Sequence, residues 1–270
     1  MGLRARKRFG QNFLADPGIV RRIVDAAGLS PTDPVLEIGP GRGAMTGTIL
    51  ERVDRAAAVE LDRDLAALLR NHPAADRLEL FEQDVLKLDF TEVQHRLGTK
   101  DPLVVLGNLP YNISKPITAR LRVQRQSVDR AVLMFQREVA ERLAAPPGTR
   151  TYGPLTILTG TWFQVRTLFH VSPGAFRPRP EVTSTVTGWE TRADPPLPDE
   201  LEGALEACLR GCFARRRQTL WNNLRAALGS DPARALLDTT GLEGSLRPEA
   251  LPPAAYYKLA AGWPSTDAGR

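Results

Sequence analysis

PVLEIGPGRG, residues 34–43, decides the fold. An apolar run broken only by Glu37 leads straight into glycines at 39, 41 and 43. A short apolar run bounded by turn signals reads as a buried strand. Glycines at alternate positions let the backbone turn tightly and come close to a ligand. AMTGTILERV (44–53) follows with helical spacing, so its N-terminus offers free N–H groups and a positive dipole end to whatever lies at the turn. The pattern then repeats. AAAVELD (56–62) is a second strand and RDLAALLRNH (63–72) a second helix. RLELFEQDVLKL (77–88) carries a third strand, PLVVLGNLPYN (102–112) a fourth and AVLMF (131–135) a fifth, with helices in ITARLRVQR (117–125) and around Phe135–Leu143. Strands alternating with helices specify βαβ units and a parallel sheet.

Outside that repeat, DPGIVRRIVDAAG (16–28) reads as a short amphipathic helix, with Asp16 as N-cap, Pro17 at the first helical position and Gly28 as its stop. PLTILTGTWFQVRTLFHV (154–171) and VTSTVTGWE (182–190) are rich in Thr, Val and aromatics and read as further strands closing the sheet. TRADPPLPDE (191–200) is a Pro-rich, acidic linker. Over 201–230 leucines and Phe213 recur at helical spacing, and beyond it Pro248, Pro252 and Pro253 break shorter helical segments. The expected organisation is an α/β domain over 1–190 and a small all-helical domain over 198–270.

Of the 270 residues, 42% are hydrophobic and 25% charged, which excludes wholesale disorder. No apolar run approaches the ~18 residues of a membrane span, and the basic N-terminus has no apolar stretch behind it to make a secretory signal. Cys208 and Cys212, four apart in a chain with three histidines, make neither a disulfide framework nor a closed zinc site and read as reduced thiols. The net charge is +5 and the pI about 9.5. Arg4, Arg6, Lys7, Arg8, Arg21 and Arg22 face Asp16 alone in the first 22 residues, the middle is slightly acidic, and the C-terminal part is slightly basic. Basic flanks suit a polyanion such as RNA or DNA, although on charge alone a solubilising tail fits equally.

Four elements carry chemistry. Gly39, Gly41 and Ala44 satisfy the loose G-x-G-x-x-G/A nucleotide fingerprint. Glu60 lies 21 residues after Gly39, where doubly wound folds place an acid on ribose hydroxyls. NAD and S-adenosylmethionine both offer that ribose, so Glu60 does not discriminate between them. Asp84 either caps a helix or accepts from the exocyclic amine of an adenine. Glu60, Asp84 and Asn108 fall at the ends of three successive strands and line one crevice of an open α/β sheet. The fourth element, Asn108-Leu109-Pro110-Tyr111, has no use in a nicotinamide enzyme. It suits transfer to a planar exocyclic amine, whose lone pair is delocalised into the ring. The Asn108 side-chain oxygen and the Leu109 carbonyl can accept its two N–H bonds and turn the lone pair toward an electrophile. Pro110 stiffens the turn and removes a competing N–H, and Tyr111 offers a face for a base to stack on.

GQNFL (10–14), EIGPGRGAMT (37–46), VELD (59–62), QDVLKLDF (83–90), NLPYNIS (108–114) and FRPRPEVTSTV (176–186) resemble the ribosomal RNA adenine N6-dimethyltransferases, from Phe9 to about residue 225. The resemblance implies a Rossmann-like S-adenosylmethionine-dependent methyltransferase sheet with a helical C-terminal domain. It implies donor contacts by Asn12, Leu14, Gly39, Gly41, Glu60, Asp84 and Asn108, and a target base held between Tyr111 and Phe176. From the residues alone, Asn12 is a helix-entry cap and Phe176 a core aromatic in a Pro-rich loop. NLPYNIS favours the branch that dimethylates two adjacent adenines in the 3′-terminal hairpin of small-subunit (16S) ribosomal RNA. The alternatives are the macrolide-resistance branch acting on 23S ribosomal RNA and a non-catalytic RNA-binding assembly factor. CFARRRQTLWNNL (212–224) fits the small-subunit pattern, with departures at Trp221 and Asn223, and its Arg215, Arg216 and Arg217 are expected on a basic, aromatic helix face that binds RNA. The expected partner is the 30S precursor particle, and the expected protein is a cytoplasmic monomer with no metal and no membrane contact.

Overall fold

The computed structural model describes residues 12–264, so Gly10, Gln11 and the basic residues between Arg4 and Arg8 lie outside it. The chain enters through a two-residue strand, β1 (Phe13–Leu14), and a helix, α1 (Pro17–Ala26). Asp16 caps α1 as expected, its Oδ1 accepting from the Gly18 and Ile19 N–H groups at 2.8 and 3.2 Å. The alternation read from the sequence follows: β2 (Val35–Ile38), α2 (Ala44–Leu50), β3 (Ala56–Val59), α3 (Arg63–Arg70), β4 (Leu78–Phe81), α4 (Phe90–Leu97), β5 (Leu103–Asn108), α5 (Ser114–Val123) and β6 (Val128–Gln136). Then come α6 (Arg137–Leu143), α7 (Pro154–Trp162), β7 (Phe163–Val171), β8 (Phe176–Arg177) and β9 (Ser184–Thr191).

The main sheet has seven strands in the order β4-β3-β2-β5-β6-β9-β7. Neighbours from β4 to β6 pair in parallel, and β9 pairs antiparallel with β6. The chain moves outward from β2 to β4 and then returns to β5 on the other side of β2. The strand order therefore reverses between β2 and β5, which is where such sheets bind ligands. β2 and β3 are buried along their whole length, as parallel strands covered on both faces must be. Ile23 and Val24 of α1 and Ile49 and Leu50 of α2 share one core with Val35, Leu106 and Val132 of the sheet. β1 pairs with β8, Leu14 opposite Phe176, in a separate two-stranded ribbon.

The chain divides into two compact units. One holds the described residues up to Ala140 together with Gln164–Thr191, and the other holds Glu141–Phe163 together with the chain from Arg192. The second unit is helical as expected, with α8 (Glu202–Cys212), α9 (Leu220–Leu228), α10 (Ser230–Thr240) and α11 (Pro253–Ala261). It takes residues 141–163 that the sequence reading assigned to the α/β domain, because Tyr152 and Ile157 belong to the same core as Leu205, Leu209, Leu224 and Tyr256.

Two elements differ from the expectation. PLTILTGTW (154–162) is the helix α7 and not a strand. Its β-type composition is overridden because Pro154 starts the helix and the Thr156 hydroxyl accepts from the Gly153 N–H. Thr161 donates its hydroxyl back to the Ile157 carbonyl at 2.7 Å, so a threonine read as a strand former is satisfied inside a helix. The helix expected over 201–230 breaks into α8 and α9, and Phe213–Thr219 forms a turn between them. Asn223, buried in α9, braces that turn: its Oδ1 accepts from the Arg215 N–H at 2.9 Å, and its Nδ2 donates to the Arg215 and Thr219 carbonyls at 3.1 and 3.0 Å. Arg215, Arg216 and Arg217 are therefore exposed on a turn rather than along a helix face. Cys208 and Cys212 are buried free thiols. No helix among the described residues is long and apolar enough to cross a membrane.

Asn223→Ala leaves the part-buried Arg215 N–H without its partner and removes the side-chain bonds to the Arg215 and Thr219 carbonyls, which keep only their backbone donors, the Gln218 and Asn223 N–H groups. It is expected to lower stability by about 1–3 kcal/mol, read as a shifted midpoint in urea unfolding. An unchanged midpoint would show that water replaces the brace at no cost.

Candidate active site

A pocket of about 880 Å³, counted with the solvent at its mouth, opens at the carboxyl ends of β2, β3, β4 and β5. Gly39 and Gly41 follow β2, Glu60 follows β3, Asp84 lies three residues past β4, and Asn108 ends β5; all five line the pocket, with Asn12 alongside. The glycine loop is possible only with glycine at its bend: Gly41 has φ +59°, and a Cβ there would sit 3.1 Å from the Phe13 ring. The loop is tied to the next strand by the Gly41 N–H, which donates to Glu60 Oε2 at 3.1 Å, while Glu60 Oε1 accepts from the Asp62 N–H at 2.8 Å. Burial raises the Glu60 pKa, and these two backbone donors oppose the rise. Each carboxylate oxygen keeps a lone pair for a ligand hydroxyl. Asp84 caps no helix; it sits at a turn and lines the pocket. Its Oδ1 accepts from the Leu86 N–H at 3.0 Å and holds the turn, and the side chain still borders the pocket.

Asn108 is oriented by the chain entry. Its Nδ2 donates to the Asn12 carbonyl at 3.0 Å, so Oδ1 is the amide atom left to accept. Leu109, Pro110 and Tyr111 continue along the pocket wall. The Tyr111 hydroxyl shares a 2.8 Å hydrogen bond with Ser184 Oγ, which fixes the ring from its far end, and burial raises the Tyr111 pKa. Phe176 does not reach the pocket. Its ring is fully buried in the core with Leu14 and Val186, because β8 pairs with β1 and turns that side chain inward. The expected sandwich of Tyr111 and Phe176 is thus not formed here. Leu14 borders a smaller recess of about 320 Å³ beside the glycine loop, which also involves Asn108 and Met45.

That recess exposes a residue the sequence reading passed over. Glu37 is fully buried in β2, accepts from Thr46 Oγ1 at 2.6 Å through Oε2, and accepts nothing through Oε1. Burial pushes its pKa up to about 7, with the Thr46 bond opposing and the nearby Glu60 charge reinforcing the shift. The signal was present: one acid inside an otherwise apolar strand. Leu61, 51% exposed on the pocket wall, offers an apolar surface for a flat ring. Ser184 had no sequence signal, since its role rests on a partner 73 residues away.

An antiparallel β9 beside parallel strands, a glycine loop after β2, acids after β3 and β4, and Asn-Leu-Pro-Tyr after β5 define a methyltransferase that uses S-adenosylmethionine on an exocyclic amine. Comparison with known proteins narrows the class. The model of the family described as ribosomal RNA adenine dimethylase matches residues 2–261. The ribosomal RNA small subunit methyltransferase A of Magnetococcus marinus is 43% identical over 96% of this chain and 92% of its own length. That of Aromatoleum aromaticum is 44% identical over 95% and 93%. Among solved structures, a dimethyladenosine transferase from Plasmodium falciparum superposes with a TM-score of 0.76 at 27% identity, over 92% of this chain and 95% of that one. The 23S rRNA methyltransferase ErmE gives 0.71 at 25%, over 93% and 99%. The chain belongs to the ribosomal RNA adenine dimethylase family.

Glu37 predicts a pH dependence of stability. Between pH 4.5 and about 7 the unfolded carboxyl ionises while the folded one holds its proton. The native state then binds more protons, so stability falls as pH rises through that window. Glu37→Gln removes this loss. Its stability relative to wild type should climb by roughly 2–3 kcal/mol from pH 4.5 to 7 and level off above, measured by urea unfolding at each pH. A difference that stays flat would place the ionised form in the fold already.

Proposed function

We propose that this protein transfers methyl groups from S-adenosylmethionine to N6 of two adjacent adenines in the 3′-terminal hairpin of 16S ribosomal RNA, giving N6,N6-dimethyladenosine during small-subunit assembly in the cytoplasm. The observation that carries the reading is the Asn108 amide, held by the Asn12 carbonyl with its oxygen free and Tyr111 three residues on along the same wall. Identities of 43% and 44% to small-subunit enzymes, against 25% to the 23S enzyme, favour the small-subunit target. A complete Asn-Leu-Pro-Tyr wall around the pocket favours catalysis over a role in assembly alone.

The pocket fits the donor. Glu60 meets the ribose hydroxyls, Asp84 the adenine amine, and Leu61 the adenine face, while the unpartnered Glu37 Oε1 in the adjoining recess suits the ammonium of its amino-acid end. When bound, the donor supplies a methyl group on a positively charged sulfur. Asn108 Oδ1 and the Leu109 carbonyl accept the two N–H bonds of the target amine and turn its lone pair toward that methyl. Tyr111, held by Ser184, is the flat face on which the base stacks. Phe176 acts as a core residue paired opposite Leu14 of β1. The motif holds no strong base, so the proton leaves to water after transfer. Positioning and exclusion of water provide most of the acceleration. On the helical unit Arg215 and Arg217 face the RNA phosphates. Arg216 contributes less, because its guanidinium already donates to the Tyr152 and Thr149 carbonyls at 2.8 and 3.3 Å.

Incubation with labelled donor and unmodified small subunits, followed by mapping of the labelled nucleotides, tests the reading. Label on neighbouring adenines of the 3′-terminal hairpin is expected, and label on large-subunit RNA would overturn the target. Asn108→Ala should slow transfer roughly 10²-fold or more, by analogy with loss of one preorganised hydrogen-bonding group, with RNA affinity retained. Glu60→Ala should weaken donor binding by about 1.5–3 kcal/mol. NAD binding as tightly as the donor would overturn the cofactor assignment.

Tyr111 and Phe176 make a separable pair. Tyr111→Phe keeps the stacking face and should keep most transfer, whereas Phe176→Ala opens a core cavity and should cost about 3–5 kcal/mol of stability, measured by thermal unfolding. A Phe176→Ala protein that loses rate without losing stability would restore Phe176 to direct contact with the base.

A further inference from the structure

Trp221 and Asn223 both lie in CFARRRQTLWNNL, and the fold gives them different work. Asn223 is the buried brace of the α8–α9 turn. Trp221 is only half-buried: its ring packs against the helical core, and the guanidinium of Arg234 in α10 lies over it, 5.4 Å from the ring centroid. Ring and guanidinium border a recess of about 790 Å³, counted with the solvent at its mouth, which Asp238 and Ser245 also line. Its framework is rigid. The Leu220 and Trp221 N–H groups donate to the Leu246 and Gly244 carbonyls at 2.7 and 2.9 Å. A Cβ on Gly244 would stand 2.9 Å from the Leu237 side chain and 3.1 Å from that of Trp221, so the loop is packed tightly against both. Arg234 and Asp238 are exposed, and neither is paired with an opposite charge among the described residues.

We infer that this recess binds one unpaired nucleotide of the RNA substrate, an inference that rests on the proposed function. An indole face stacks on any base. An exposed cation–π contact is weaker than a stacked base, so Arg234 yields the ring and turns to the nucleotide's phosphate. The Asp238 carboxylate, an acceptor only, takes N–H groups from the base edge. The exposed Arg215 and Arg217 lie on the turn that leads into α9, so phosphate contacts continue along the chain toward the recess. A recess walled by an aromatic face, a cation and a carboxylate matches a nucleotide's base, phosphate and amino edge together, which an apolar peptide does not offer.

The test uses the full-length chain and unmodified small subunits, alongside protein-free 16S ribosomal RNA. Trp221→Ala should bind both RNAs roughly ten-fold more weakly, the scale of one stacked base. Trp221→Phe should stay near wild type, and Arg234→Ala should reduce the log–log salt slope of binding by about one. Donor affinity and transfer at saturating RNA should not change in any of the three; the thermal midpoint should hold in Trp221→Phe and Arg234→Ala and fall in Trp221→Ala, which loses the packing of the ring. Wild-type RNA affinity in Trp221→Ala, with wild-type transfer intact, overturns the inference and leaves the function reading standing. Weakening only on the protein-containing particle overturns it in favour of a protein contact. Equal losses in Trp221→Ala and Trp221→Phe, accompanied by a lowered midpoint in both, reduce Trp221 to packing. A wild type that transfers nothing to small subunits removes the function reading and the inference with it.

Discussion

Strands buried on both faces have only their ends left for polar chemistry. β2 and β3 are covered along their whole length, and every neighbour from β4 to β6 pairs in parallel. Parallel strands end at the same edge, so the residues after Ile38, Val59 and Phe81 and at Asn108 are delivered to one side of the sheet. The reversal of strand order between β2 and β5 then opens a gap there that no crossover covers. Gly107 keeps this gap narrow at its base, since a Cβ there would lie 3.1 Å from the Ile38 carbonyl oxygen. The positions of the glycine loop, Glu60, Asp84 and Asn108 all follow from these pairings.

Acidic side chains lie close together at that gap. Two carboxyl groups, Glu37 and Glu60, are buried near each other, and burial raises both pKa values. The backbone donors on Glu60 and the Thr46 hydroxyl on Glu37 offset only part of that. On the proposed function, the ammonium of the donor would sit beside Glu37 Oε1, and its binding would then be coupled to ionisation of Glu37. By the same linkage, a ligand that binds only the native chain stabilises the fold by RT ln(1 + L/Kd), where L is the free ligand concentration.

The helical unit is organised around backbone satisfaction as much as around its leucines. Three backbone groups of the α8–α9 turn are met by the single amide of Asn223, and in α7 the Thr156 and Thr161 hydroxyls donate to the Arg142 and Ile157 carbonyls, while the buried Thr159 hydroxyl has no partner among the described residues. Arg216 spends its guanidinium on two carbonyls of the 149–152 turn. The basic run is thus divided between structure and surface, and its outward charges come from a braced turn rather than a helix face.

The sequence by itself determined the alternating α/β repeat, the glycine turn after the first long strand, and the row Glu60, Asp84, Asn108. Those features are local: apolar period, turn chemistry and strand-end spacing depend on residues close together in the chain, and parallel pairing follows from the βαβ repeat. Asn-Leu-Pro-Tyr was legible because its chemistry lies within four consecutive residues. Only the tertiary structure decided that 154–162 is a helix, since Thr- and Ile-rich segments suit either state until the Tyr152–Ile157 core and the back-bonded hydroxyls select one. The residues alone gave Phe176 as a core aromatic, and the structure places it there against the resemblance, through a β1–β8 pairing between segments some 160 residues apart. The tertiary structure alone set the Asn108 amide by a carbonyl 96 residues away and the Tyr111 ring by a hydroxyl 73 residues away. Such contacts have no period and no motif, because they join atoms that only the folded chain brings within reach.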